Sequence, residues 1–208
     1  MSDARTVILD RIDRALRTGR IPSAASAPAP VPPVRPGAQG LVDRFVLEAR
    51  ALGADVFVEA SAAAVRQRLA DVIGGRRVLS WRPDRLPYDA GAIVAGACVG
   101  SAPLREQAEA EVGVTGCHAA VAETGSLVLL SGPGLSRTVS LLPPLHVALV
   151  RPQDLYFSMG EYFESNAERM AEASSCTFVT GPSRTADIEL SLTIGVHGPG
   201  RVVVIMGN

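Results

Sequence analysis

The fold class is decided by residues 41–81, LVDRFVLEARALGADVFVEASAAAVRQRLADVIGGRRVLSW. Their apolar residues alternate between the spacing of a helix and the short runs of a buried strand. A helical spacing gives way to the short apolar run ADVFVEA (54–60). A second helix is expected from Ser61, a favourable N-cap residue, to the glycines that precede the strand RRVLSW (76–81). This alternation predicts an α/β domain with a mostly parallel sheet flanked by helices.

The rest of the chain continues the pattern. Residues 158–173 are expected to form a helix, with Ser158 as its N-cap. Short apolar runs bounded by turn residues predict further strands at 91–100, near Val112, and at 126–130, 145–150, 176–181 and 201–206.

The N-terminal segment has a different composition. Residues 1–19 have the spacing of an amphipathic helix, and residues 20–40 are rich in proline and alanine. Because proline lacks a backbone N–H and restricts the chain, this second stretch is expected to be an extended linker. We therefore expect three parts, an N-terminal helix (1–19), a linker (20–40) and an α/β domain (41–208).

Composition excludes several classes of function. The net charge of the 208 residues is -1 and aromatic residues make up 4%, which gives no basis for nucleic-acid binding. No apolar run approaches the roughly 18 residues that span a bilayer, and the N-terminus lacks the apolar core of a signal peptide. The three scattered cysteines are typical of reduced thiols. These features favour a cytoplasmic protein.

Metal and cofactor motifs are also missing from the sequence. It contains no C-x-x-C motif, and Cys117 and His118 are direct neighbours, which is a poor spacing for chelation. The segment GPGLSR (132–137) lacks the third glycine of a dinucleotide fingerprint. The absence of lysine excludes a Schiff base. We expect no metal and no cofactor in this chain.

Polar side chains gather around the expected strands 126–130 and 176–181. Glu123 and Thr124 precede the first strand, Arg137 follows it, and Arg184 follows the second. Ligands bind beyond the carboxyl ends of parallel strands, so we expect the two arginines to meet there and hold a carboxylate or phosphate. Candidate acids, bases and hydrogen-bond partners complete the site: Glu123, His146, Asp187 and His197 as catalytic groups, and Thr124, Thr185 and Glu189 as ligand contacts.

Structural roles compete with these functional ones. Glu123 is equally suited to cap a helix, and His146 precedes an apolar run that favours a core histidine. Asp187 and Glu189 are two positions apart and cannot share one helical face, so one of them is expected to be structural.

Two segments carry a resemblance to a known family. The two segments are AVAETGSLVLLSGPGLSRTVSLLPPLHVALV (120–150) and GPSRTADIELSLTIGVHGPGRVVVIM (181–206). They resemble the LUD-domain family in its short, stand-alone form. The resemblance implies a fold similar to that of sugar-phosphate isomerases and CoA-transferases. It also implies a three-component system that oxidises L-lactate to pyruvate, with iron–sulfur clusters on two partner proteins. The matching positions are Glu123, Thr124, Arg137, His146, Arg184, Thr185, Asp187, Glu189 and His197.

Three functions remain open at this point. The favoured one is a cytoplasmic subunit of a lactate-oxidising system with an arginine-lined pocket for a small anion. The second is a free-standing enzyme for an acyl-CoA or sugar phosphate, with Glu123 as nucleophile or base. The third is a non-catalytic scaffold.

Overall fold

The computed structural model describes residues 4–18, 37–186 and 192–207. The chain divides into two compact units between residues 34 and 35. The first contains helix α1 (Ala4–Thr18), which lies within the range 1–19 where a helix is expected. Its apolar residues Val7, Ile8, Leu9 and Ile12 are about half exposed. Most of the expected linker lies outside the described residues.

The second unit is built on a six-stranded, all-parallel sheet, as the sequence predicts. Its strands are β1 (Asp55–Glu59), β2 (Val78–Ser80), β3 (Cys98–Val99), β4 (Val112–Thr115), β7 (Leu145–Val150) and β12 (Arg201–Gly207). They lie in the order β1-β12-β7-β4-β2-β3. The central strands β7 and β12 pair from Leu145–Arg201 to Val150–Met206 and are buried on both faces, apart from Arg201.

A separate four-stranded sheet holds β5 (Ala119–Val121), β6 (Ser126–Ser131), β8 (Leu155–Tyr156) and β9 (Ser175–Val179), in the order β8-β5-β6-β9. β6 is antiparallel to both β5 and β9, and Ser131 at the end of β6 pairs with Ser175 at the start of β9. The expectation that the strands before Arg137 and Arg184 end at one parallel edge is therefore wrong. A further pair, β10 (Arg184–Ala186) and β11 (Leu192–Ile194), is antiparallel.

The helices of the second unit are α2 (Ala38–Ala51), α3 (Ala62–Ile73), α4 (Leu104–Ala108), α5 (Thr138–Leu141) and α6 (Met159–Glu172). Ser61 and Ser158 cap α3 and α6 as predicted, each accepting a backbone N–H at 3.2 Å. α2 begins inside the range expected to be linker. The expected strand at 91–100 shrinks to the two residues of β3, because Gly91 lies in a tight 3-10 turn against Pro83 that has no room for a side chain.

The core is layered on the two faces of the parallel sheet. Val65 and Leu69 of α3 pack on one face, with Val203 and Ile205 of β12. Phe45 of α2 and several residues of the four-stranded sheet pack on the other face. α6 covers the outer face of the four-stranded sheet through Tyr162. Among the described residues, no helix is both long and apolar enough to cross a membrane.

Candidate functional site

A polar pocket of about 390 Å³ lies at the carboxyl edge of the parallel sheet. Cys117 and His118 enter it from the segment after β4, and Arg151 and Asp154 from the turn after β7. The kinked middle of α6 supplies the remaining wall. Its lining residues are Cys117, His118, Arg151, Gln153, Asp154, Tyr156, Ser165, Asn166 and Arg169, and we call it the His118 pocket.

Tyr88 closes the neighbouring part of the same edge. Its hydroxyl accepts the N–H of Gly207 at the end of β12 at 3.0 Å and donates to the carbonyl of Val150 at the end of β7 at 2.7 Å. Tyr88 has a φ of +61°, a left-handed conformation that is costly for a bulky residue. Tyr88 thereby ties together the ends of β7 and β12.

His118 is a neutral imidazole in this pocket. Burial lowers its pKa below the usual 6.5, and the nearby charge of Arg169 lowers it further, against an opposing hydrogen bond with Asn166. Nε2 of His118 lies 3.3 Å from Oδ1 of Asn166. Nδ2 of Asn166 donates to the carbonyl of Tyr162, so Oδ1 is the acceptor and Nε2 carries the proton. Nδ1 of His118 consequently keeps a free lone pair.

Asn166 holds this arrangement through a local break in α6. Its backbone has φ -130° and ψ 16°, which interrupts the helix. The Asn166 side chain donates to the carbonyl of Tyr162 at 3.0 Å, the acceptor four residues back that a regular helix would satisfy with a backbone N–H. The kink turns an amide into the pocket wall beside His118.

The pocket holds more positively charged side chains than negatively charged ones. Arg151 and Asp154 form a two-point ion pair, with N–O distances of 2.7 and 3.1 Å. Arg169 is exposed and has no ion-pair or hydrogen-bond partner in the described parts of the chain. Two guanidinium groups and one carboxylate, beside a neutral imidazole, leave one net positive charge. A ligand with a single negative charge is complementary to this balance.

Glu123 and Thr124, two of the expected site residues, lie in the turn between β5 and β6 instead. Oε1 of Glu123 accepts the N–H of Met159, the first residue of α6, at 3.1 Å. Thr124, Ser126 and Thr180 form a chain of hydroxyls with distances of 2.8 and 2.7 Å. These contacts fasten the turn to α6 and β9.

Arg184 and Arg137 do not come together. Arg184 donates to the carbonyl of Leu52 at 2.6 Å, at the end of α2. Arg137 follows β6 and lies at the end of the antiparallel β6–β9 pair remote from Thr180. The antiparallel pairing sends the two loops to opposite ends of the four-stranded sheet, so no common arginine pocket forms.

His146 is enclosed in the core at the start of β7. Its Nε2 lies 2.9 Å from Oγ1 of Thr115, and its Nδ1 is the one buried side-chain nitrogen or oxygen of the described residues without a hydrogen-bond partner. Burial lowers the pKa of His146 to about 4. His146 is therefore neutral at pH 7 and has no access to solvent.

The remaining predicted residues are dispersed. Thr185 is half-buried in β10, opposite Thr193 of β11, and His197 is exposed in the turn before β12. Asp187 and Glu189 lie outside the described residues. Across those described ranges, no group of three or more His, Cys, Asp or Glu side chains is placed to hold a metal ion.

The sequence reasoning missed the His118 pocket. It weighed Cys117 and His118 only as a metal chelate, and it did not consider Arg151, Asp154 or Arg169. One available signal was position, because His118 and Arg151 each follow closely on the carboxyl end of a parallel strand, where ligands usually bind.

The fold and this pocket define an α/β protein with a polar site at the carboxyl edge of a parallel sheet. A family model described as the LUD domain matches residues 100–206. The chain is 30% identical over 170 residues to the lactate utilization protein C of Geobacillus sp. (strain WCH70), across 72% of this chain and 70% of that protein. The chain belongs to the LUD domain family.

Other relatives carry the same name. The lactate utilization protein C of Deinococcus radiodurans is 28% identical over 214 residues, covering 99% of this chain and 96% of its own. That of Halalkalibacterium halodurans is 40% identical over 110 residues, and the match spans 47% of that relative's length. The crystal structure of a DUF162 family protein from Deinococcus radiodurans has the same fold, with a TM-score of 0.66 and 24% identity over 84% of this chain and 100% of that one.

Proposed function

We propose that this chain acts in lactate utilisation, as a cytoplasmic component of a system that oxidises L-lactate to pyruvate together with iron–sulfur proteins. The substrate or product binds in the His118 pocket. The names of the relatives support the process. Two groups of one pocket support the ligand: the guanidinium of Arg169, which has no partner among the described residues, and the neutral imidazole of His118.

The charge of the pocket suits this ligand. Lactate and pyruvate each carry one carboxylate, and the His118 pocket has one net positive charge. Arg169 offers a guanidinium fork that no side chain of the described residues occupies, and the carboxylate takes that place. The ion pair with Asp154 directs the guanidinium of Arg151 while partly neutralising it.

His118 supplies the second contact. Its Nε2–H is committed to Asn166, so Nδ1 accepts the hydroxyl hydrogen of lactate. Oxidation of lactate to pyruvate breaks the O–H and the Cα–H bonds and removes two electrons. The neutral imidazole takes the hydroxyl proton, and the hydrogen at Cα and both electrons are taken up by the oxidised partner proteins. The three cysteines of this chain are fewer than the four thiolates that usually hold a cluster, so we place the iron–sulfur clusters on those partners.

A free-standing acyl-CoA or sugar-phosphate enzyme receives less support. That alternative needs Glu123 as nucleophile or base, and the Glu123 carboxylate accepts the N–H of Met159 at the start of α6. The calorimetric binding test below also tests the third function, a non-catalytic scaffold, because a scaffold does not need to bind lactate.

The first test measures binding of L-lactate, pyruvate and acetamide to the chain by isothermal titration calorimetry. The two anions are expected to bind, and the neutral amide is not. Arg169→Ala is expected to weaken anion binding about tenfold or more, because a charge-assisted hydrogen bond contributes roughly 1.5–3 kcal/mol. His118→Asn is expected to weaken lactate more than pyruvate, because only lactate has the hydroxyl.

Arg105→Ala is the matched control, since Arg105 is an exposed arginine of α4 outside the pocket. Equal loss in both arginine variants would show a nonspecific charge effect and refute the site. The second test adds any iron–sulfur proteins encoded by neighbouring genes and measures lactate-dependent dye reduction. Full reduction by those proteins without this chain refutes its role in the oxidation.

A further inference from the structure

A second pocket, of about 480 Å³, lies where β6 ends and β9 begins. The loop after β6 forms one side of it through Ser136, Arg137 and Thr138. Ser131, Ser174 and Ser175 form the other side. We call it the Ser136 pocket. It shares no lining residue with the His118 pocket.

The loop that forms this pocket is held in place from three directions. Nε1 of Trp81 donates to the carbonyl of Ser136 at 3.2 Å, and the N–H of Arg82 donates to the carbonyl of Gly134 at 3.1 Å. Gly100 lies so close that a Cβ there would come within 2.1 Å of Cβ of Ser136. The pocket wall is therefore preorganised, which reduces the ordering cost of binding.

Hydrogen-bond directions fix the chemistry of Ser136. The buried amide of Gln107 donates both of its hydrogens, to the carbonyls of Gly100 and Ala102. Its oxygen therefore accepts the hydrogen of Thr138, at 2.5 Å. Thr138 has no other hydrogen to give, so Ser136 donates to Thr138, at 2.8 Å. Ser136 lines the pocket, and its Oγ is left as an acceptor only.

Arg137 and one serine supply the free donors of the pocket, because Ser174 donates its hydroxyl hydrogen to the carbonyl of Ser131 at 3.0 Å. The exposed Arg137 side chain has no ion pair or hydrogen bond within the described part of the chain. Oγ of Ser175 donates to Oγ of Ser131 at 3.0 Å, so the hydroxyl hydrogen of Ser131 remains free. The pocket thus combines an uncommitted guanidinium, a free hydroxyl hydrogen and an obligate acceptor.

We propose that the Ser136 pocket binds a small anion that also carries a hydroxyl group. The anionic end contacts Arg137 and the free hydroxyl hydrogen of Ser131, and the ligand hydroxyl donates to Oγ of Ser136. A hydroxycarboxylate and the phosphate ester of a polyol share this chemistry. The proposal is independent of lactate binding in the His118 pocket.

The test uses two pairs of ligands that differ in hydroxyl groups, glycerol 3-phosphate with propyl phosphate, and L-lactate with propionate. Dissociation constants are measured by calorimetry on Arg169→Ala, in which the His118 pocket is impaired. In at least one pair, the hydroxylated member is expected to bind about two- to tenfold more tightly, as one added hydrogen bond predicts. The pair that shows the preference identifies phosphate or carboxylate as the anion.

Further substitutions in the same background locate the site. Ser136→Ala is expected to abolish the preference for the hydroxylated member, and Arg137→Ala to weaken both members about tenfold. Arg105→Ala is again the matched control. The proposal is overturned if neither pair binds, if the preference persists in Ser136→Ala, or if Arg137→Ala behaves like Arg105→Ala. If Arg169→Ala loses lactate binding but still prefers glycerol 3-phosphate to propyl phosphate, the result supports lactate in the His118 pocket and a hydroxylated phosphate in the Ser136 pocket.

Discussion

The buried imidazole of His146 is expected to make the protein less stable in mild acid. Its pKa is about 4 in the folded chain, because burial disfavours the charged form, and 6.5 is the ordinary value of an exposed histidine. Between these values the unfolded chain binds a proton at His146 and the folded chain does not. The free energy of unfolding therefore decreases as the pH falls through this window, and His146 contributes no slope above it.

The magnitude follows from the width of the window. Each pH unit of difference is equivalent to about 1.4 kcal/mol, so His146 should account for a loss of about 2 to 3 kcal/mol between pH 7 and pH 4.5. Nδ1 of His146 has no hydrogen-bond partner, so no acceptor within the described chain compensates the charge. Such a loss is a large fraction of the stability of a domain of this size.

The assay is urea unfolding at several pH values on the parent chain and on His146→Gln, which keeps a polar partner for Thr115. The stability difference between the two chains is expected to shift by about 2 to 3 kcal/mol in favour of the variant at pH 4.5. The carboxylates that titrate in this pH range are the same in both chains, so their effect cancels in the stability difference. Parallel pH profiles would refute the reasoning, as would a His146 imidazole that titrates near 6.5 in NMR spectra of the folded parent.

Three further perturbations test the fold. Glu123→Ala is expected to lower the free energy of unfolding by about 1 kcal/mol, measured with urea, because the N–H of Met159 loses its acceptor. Gly113→Ala is expected to cost on the order of 3 kcal/mol or prevent folding, since a Cβ there would lie 1.9 Å from the carbonyl oxygen of Val139. Removal of residues 1–36 is expected to leave a cooperative thermal transition, because the core residues of the described part of the chain lie between 41 and 206.

Matched controls accompany these changes. Glu164→Ala removes an exposed carboxylate of α6 and should have little effect on unfolding. A Cβ at Gly132 meets no atom within 4 Å, so Gly132→Ala should be tolerated. If a variant and its control lose equal stability, the loss is not caused by the Glu123 cap or by the close approach at Gly113. A non-cooperative melt of the shortened chain would show that the first unit completes the core.

Local sequence features were enough to predict many individual elements. β7 and β12 read as apolar runs and are buried strands, and Ser61 and Ser158 cap the helices that follow them. These elements are decided within a few residues, by the spacing of apolar side chains and by a hydroxyl that satisfies a helical N–H. The alternation of helix and strand also predicted the parallel sheet.

Strand pairing was not predictable in the same way. The six residues of β6 are all buried, as a central parallel strand would be, yet β6 pairs antiparallel with β5 and β9 in another sheet. An apolar run reports burial and carries no information about which strand is its neighbour. This ambiguity led to the wrong expectation that Arg137 and Arg184 converge.

The sequence by itself determined the α/β class, the helix caps and the buried strands, because each depends on contacts between residues close together in the chain. The tertiary structure alone decided where the sites lie. His118, Arg151 and Arg169 meet because β4 and β7 are neighbours and because α6 breaks at Asn166. Pairing of distant strands also sets the burial that makes His118 and His146 neutral, and pKa values depend on that enclosure rather than on neighbours in sequence.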